Sequence, residues 1–171
     1  MNKRALVLTV LVLLLTCIGS AQSHPIKKEM LVGTWKLVSW SNVTDKGVIN
    51  KEAFGRTPSG FLTYTSDGRM SAILTAGGRK PLTTGWALAP TEEKAAAFVT
   101  SYAYAGTFTV KGDQVIHHVE ACTVQNVVGT DYVRLITELQ SDRVTLRTLE
   151  PVLWTDGVRY AYMELVWERI K

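Results

Sequence analysis

Between residues 33 and 170 the chain repeats one device: a short run of alternating apolar and polar side chains, then a cluster of turn formers, then another such run. Period-two alternation marks a strand with one face on a core. Residues 61–65 and 70–75 flank Ser66-Asp67-Gly68-Arg69, and an Asp-Gly between alternating runs is a strong hairpin signal. Residues 104–110 and 114–120 flank Lys111-Gly112-Asp113, runs 132–139 and 143–149 flank Ser141-Asp142, and Thr155-Asp156-Gly157 leads into a last run, 158–170. The pattern predicts an all-β chain of about eight to nine strands in simple succession. Such a meander has two free edges unless it closes, and closing it as an up-and-down antiparallel barrel leaves an interior about wide enough for one small ligand. There is no internal repeat and no linker, so residues 24–171 are read as one barrel domain.

The first strand is Gly33-Thr34-Trp35-Lys36-Leu37-Val38-Ser39-Trp40. Strict alternation places Trp35, Leu37 and Ser39 on one face and Lys36, Val38 and Trp40 on the other. Gly33 lets the backbone lie close to a neighbour, and the Trp35 indole needs a deep place to be buried. These two positions read as structural.

One helix interrupts the strands, predicted over residues 91–102. Thr91 is positioned to cap it, Glu92 and Glu93 suit its positive end, and the alanines favour it. Phe98 and Tyr102 share a face that would pack on the sheet. Residues 76–90 before it are rich in Gly and Pro and form a long irregular loop, expected either as a rim or lid over a binding site, with Trp86 a candidate ligand contact, or as a surface loop docked by Trp86.

Residues 1–23 have the pattern of a secretory leader: Lys3 and Arg4, an apolar run to Ile18, then small residues. The run is shorter than the roughly 20 residues that span a bilayer, so removal is expected rather than membrane insertion. Lipid anchoring through Cys17 is a weaker alternative, because Thr16 stands where a lipobox has Gly, Ala or Ser. The expected setting is the periplasm or the extracellular space. Without the leader only Cys122 is left, so the domain would rely on its core and not on an internal disulfide. Removing Lys3 and Arg4 lowers 19 basic residues to 17 against 15 acidic ones. A near-neutral chain with no basic run gives no case for nucleic acid.

Polar side chains on the inward face are where function would lie. On the run after Gly112, Val115, His117 and Val119 share one face and Ile116, His118 and Glu120 the other. Glu120 is the costlier residue to bury, so His117 is expected inside, as a hydrogen-bonding group, an acid/base near neutral pH, or a histidine satisfied by a neighbouring strand. Arg134 shares a face with Tyr132 and Ile136, either inside as an anchor for an anion or carbonyl, or outside in solvent. Tyr64, Tyr104, Phe108 and Trp40 are read as core or as pocket walls, and walls are what an apolar ligand would touch. His117, His118 and Glu120 cannot point one way on a strand, so no metal site is proposed, and no nucleophile motif, paired carboxylates, phosphate loop or cofactor motif is present.

Leu31-Val32-Gly33-Thr34-Trp35-Lys36-Leu37-Val38-Ser39, Gly60-Phe61-Leu62-Thr63-Tyr64-Thr65-Ser66-Asp67-Gly68-Arg69-Met70-Ser71-Ala72, Tyr104-Ala105-Gly106-Thr107-Phe108, Val115-Ile116-His117-His118-Val119-Glu120 and Gly129-Thr130-Asp131-Tyr132-Val133-Arg134 resemble, in this order, the lipocalin-like domains of bacteria and fungi. The resemblance implies a calycin-type barrel in which an arginine from the last strand packs over the tryptophan of the first. The matching residue is Arg169, on one face with Ala161, Met163, Leu165 and Trp167. The further motifs and disulfides of true lipocalins are missing. On the closed meander, this resemblance and the lack of a catalytic set, with export read from residues 1–23, the chain is expected to be an exported, non-enzymatic protein binding a small, mostly apolar molecule inside its barrel. The alternatives are an isomerase or cyclase using the barrel interior, and an envelope protein with a filled barrel.

Overall fold

The computed structural model of the protein describes residues 25–171. The leader, Cys17 and His24 lie outside them. Eleven strands and one α-helix follow a short 3-10 turn: β1 (Gly33–Val43), β2 (Ile49–Asn50), β3 (Ser59–Tyr64), β4 (Arg69–Thr75), α1 (Thr91–Val99), β5 (Ser101–Lys111), β6 (Gln114–Cys122), β7 (Asp131–Leu139), β8 (Arg143–Thr148), β9 (Val152–Leu153), β10 (Arg159–Tyr160) and β11 (Tyr162–Arg169). Strands β1, β3 to β8 and β11 pair in that order, all antiparallel, and β11 pairs back onto β1 to close an eight-stranded barrel. β2 extends one end of β1, and β9 with β10 forms a separate hairpin. The last predicted run is therefore two strands, because Ala161 leaves the β10 pairing and donates its backbone N–H to Val43 instead.

Strict alternation fails once in β1, with a consequence for the interior. The register against β11 shifts between Leu37 and Ser39, so Trp35 and Leu37 before the shift and Trp40 and Asn42 after it are all buried. A bulge adds one residue to the count and turns the following side chains to the other face. Trp40, expected opposite Trp35, thus joins the same core. Asn42, within a possible glycosylation sequon, is fully buried and accepts a hydrogen bond from Trp40 Nε1 at 2.8 Å. A second shift, between Ala105 and Gly106 in β5, brings the chains so close that a Cβ on Gly106 would collide with the His118 carbonyl.

The barrel is shut at the end where β1 begins. Trp35 is fully buried and its Nε1 donates to the Leu31 carbonyl at 2.8 Å. The Arg169 guanidinium lies 3.9 Å from the Trp35 ring centroid and donates to three backbone carbonyls, those of Ser141 (2.6 Å), Met30 (2.7 Å) and Val32. A planar donor fork stacked on an indole can serve several acceptors at once, which an ammonium cannot. Gly33 makes room for it: its φ is +132°, and a Cβ there would stand 2.6 Å from Arg169 Nη1.

The helix differs from the expectation. It ends at Val99, Thr91 makes no side-chain cap, and the helix buries no residue. Ser101 and Tyr102 already belong to β5, where Tyr102 pairs with Leu74, so sheet pairing takes over the last predicted turn. Phe98 is about half exposed instead of packed under the helix. No helix among the described residues is long and apolar enough to cross a membrane.

Replacing Arg169 with Met should lower stability in urea denaturation by roughly 2–4 kcal/mol, because three carbonyls lose a charged donor. Arg169→Lys should recover less than half of the loss. A change below about 0.5 kcal/mol, the level of an ordinary surface substitution, would contradict this role.

Candidate functional site

The other end of the barrel leads into a cavity of about 650 Å3. Apolar side chains from many strands line it, among them Trp40, Leu62, Leu74, Leu146 and Leu165. Its mouth is framed by Phe98 and Val99 of α1 and by residues 149–155, which carry Leu149, Leu153 and Trp154. Trp154 is held by a hydrogen bond from Nε1 to the Ala53 carbonyl (3.1 Å) and packs with Phe54 and Trp40, the Trp40–Phe54 pair stacking at 4.5 Å between centroids. Tyr160 of β10 pins the neighbouring hairpin, donating to Asp156 (2.8 Å) and accepting from Asn50 (3.3 Å).

The expected rim was residues 76–90. None of them lines the cavity, and Trp86 is 81 % exposed. Both readings of Trp86, as a ligand contact or as the group that docks the loop, are corrected by that exposure. The segment lies instead against residues 54–57 and α1: Gly77 donates its N–H to the Phe54 carbonyl, and Thr83 is bonded to Glu93 through both its N–H (2.9 Å) and its hydroxyl (2.8 Å).

Inside, β6 delivers His117 to the lumen as the cost of burying Glu120 suggested: Glu120 is outside, paired with Arg69 at 2.8 Å, and His118 is outside, 2.8 Å from Asp131. His117 is 1 % exposed and both ring nitrogens are engaged, Nε2 with the Tyr64 hydroxyl at 2.7 Å and Nδ1 with the Tyr104 hydroxyl at 3.0 Å. Burial, and secondarily the charge of Arg134, hold its pKa down from 6.5 to about 3. An imidazole that stays neutral across the physiological range and has no free nitrogen is not an acid/base near neutral pH. It is a satisfied histidine, held by Tyr104 of the adjacent β5 and, across the interior, by Tyr64 of β3.

Of the other candidates, Tyr104 lines the cavity, and burial raises its pKa to about 12. Tyr64 and Phe108 are buried but are not on the cavity lining; they pack on each other at 4.5 Å, behind His117. Burial also raises the Tyr64 pKa well above its ordinary value. Arg134 faces the lumen. Its cross-strand partners are Val115 on β6 and Thr148 on β8, both buried, and residues opposite one another on paired strands share a face. Its guanidinium lies 4.8 Å from the Tyr132 ring centroid and donates to the Val133 carbonyl at 3.2 Å.

Sequence reasoning missed Tyr102, Tyr132 and Trp167 as lining residues. The Tyr102 and Tyr132 hydroxyls touch, and the Tyr102 pKa is raised, chiefly by burial and then by that bond. Tyr132 could have been found, since it lies directly across from His117. Among the described residues no three His, Cys, Asp or Glu converge as metal ligands.

The sequence profile described as lipocalin-like domain matches residues 32–170. The chain belongs to the lipocalin-like domain family. Among solved structures it is similar to a lipocalin-like protein from Bacteroides uniformis ATCC 8492, at 13 % identity over 82 % of this chain and 99 % of that one, with a TM-score of 0.45. It is also similar to an uncharacterized protein from Bacteroides eggerthii DSM 20697, at 12 % identity over the same shares, with a TM-score of 0.43. A redesigned β-barrel follows at 11 % identity over 84 % of this chain and 95 % of that one, with a TM-score of 0.40. No curated protein matches.

The state of His117 sets a pH dependence. The unfolded imidazole takes up a proton near 6.5 and the folded one only near 3. Between these values the unfolded state binds more protons, so stability falls as pH drops through the window, by up to about 1.4 kcal/mol per pH unit from this group, and is unaffected by it above 6.5. Urea denaturation at a series of pH values should therefore give a flatter profile for His117→Gln than for wild type across that window. Equal slopes would contradict a neutral, buried His117.

Proposed function

We propose that this lipocalin-like protein is an exported binder of a small, mostly apolar molecule held inside the barrel. The observation that carries the reading is the cavity of about 650 Å3, walled largely by apolar and aromatic side chains. Cavities of this size that enclose apolar surface with a few fixed polar groups are what small-molecule sites look like. Export rests on the leader pattern of residues 1–23. A cavity of this size argues against the filled-barrel reading. The isomerase or cyclase reading loses its best acid/base, because His117 is committed at both nitrogens.

Native mass spectrometry of the protein purified from a secreting host, together with displacement of the neutral dye Nile red, tests the proposal. A copurifying small molecule, or saturable dye binding, is expected. Leu146→Phe, which narrows the cavity, should weaken dye binding by about tenfold at the modest stability cost of overpacking. No bound molecule, no dye binding and no thermal shift across a lipid and metabolite library would overturn it.

A further inference from the structure

The direction of the hydrogen bonds through His117 follows from what each group can reach. A neutral imidazole has one N–H and one lone-pair nitrogen. The Tyr64 hydroxyl is sealed at 1 % exposure, and its one partner among the described residues is His117 Nε2. If it accepted from Nε2, its own proton would be buried without an acceptor, at about 1–3 kcal/mol. Tyr64 therefore donates to Nε2, and Nδ1 carries the ring proton and donates to the Tyr104 oxygen. Tyr104 retains a free O–H, and Tyr104 lines the cavity. Each donor in such a chain polarises the next, so the last hydroxyl is a strengthened donor.

Arg134 stands beside it. The Arg134 guanidinium lies over the Tyr132 ring at 4.8 Å and the Tyr104 ring meets the same ring at 5.5 Å and 82°, so Arg134 and Tyr104 both pack on Tyr132. None of the ion pairs among the described residues involves Arg134, and its single protein acceptor is the neighbouring Val133 carbonyl. A third donor, the indole N–H of Trp167, is buried without a partner on the same lining. The acidic groups along the cavity, Asp131 and Glu150, are exposed, and Asp131 already faces His118. Beside hydroxyls such as those of Tyr102, Tyr132 and Thr148, which can donate or accept, the inner polar surface thus presents donors and one cation.

We propose that the molecule held in the barrel is an apolar carboxylate whose head is received by Arg134 and the Tyr104 hydroxyl while its body lies against Trp40, Leu62, Leu74, Leu146 and Leu165. A carboxylate is an acceptor at both oxygens, and charge-assisted bonds from a guanidinium and a phenol are the strong kind. It also supplies the counter-charge that Arg134 lacks inside the protein. The proposal rests on the binding reading above and narrows it to one class of head group.

Isothermal titration with three probes of one chain length decides it: dodecanoate, dodecanol and dodecyltrimethylammonium, at a pH well above the carboxylate range. Dodecanoate should bind about tenfold or more tightly than dodecanol, and the ammonium weakest. Arg134→Met and Tyr104→Phe should each shrink the preference for the acid, and Arg134→Lys should keep part of it. If acid and alcohol bind equally, or the ammonium binds best, the carboxylate proposal is overturned and the pocket reading stands. If none of the three binds and Nile red does not bind either, both fail. The comparison on the wild-type protein needs no variant to fold.

Discussion

The barrel depends on one junction, where the last strand meets the first. A meander of eight strands buries its backbone edges only if β11 pairs with β1, and it does so from Trp35 opposite Arg169 to Val43 opposite Tyr162. At the start of that seam Arg169 stacks on Trp35 and ties down the carbonyls of the lead-in and of the turn between β7 and β8. Gly33 is part of the same device, since a side chain there would occupy the guanidinium's place.

The lumen divides its polar groups by depth and by role. Tyr64 is sealed behind His117, and both spend their hydrogen bonds on each other and on Tyr104, so their contribution is to orient Tyr104. His117 lies on the cavity lining with both nitrogens engaged, alongside Arg134, Tyr132 and Tyr104. Burial that holds His117 neutral also removes it as a proton carrier.

Much of the fold was legible because strands announce themselves locally: the Asp-Gly hairpin at 67–68, the alternation of β6, and the face of β11 that carries Arg169 all follow from neighbours in sequence. The placement of His117 was legible because Glu120 on the opposite face is so costly to bury. The rest depended on contacts between distant residues. Nothing near Leu37 marks the bulge that turns Trp40 inward, and the residues that satisfy His117 are 13 and 53 positions away. The end of α1 was misjudged because Tyr102 looks like a helical partner of Phe98 until β4 claims it. Gly- and Pro-rich residues 76–90 suited a lid or a surface loop by composition, whereas residues 149–155 line the cavity, anchored by Trp154 packing on Trp40 and Phe54.

The lumen carries a preset donor at Tyr104, fixed by a neutral His117 of one tautomer. Nitrogen-15 NMR of the His117 ring reads this directly. A protonated Nδ1 and a lone-pair Nε2 are expected, unchanged from neutral pH down through the ordinary histidine range. A protonated Nε2 with a bare Nδ1, or a ring that becomes fully protonated near its ordinary pKa, would contradict it.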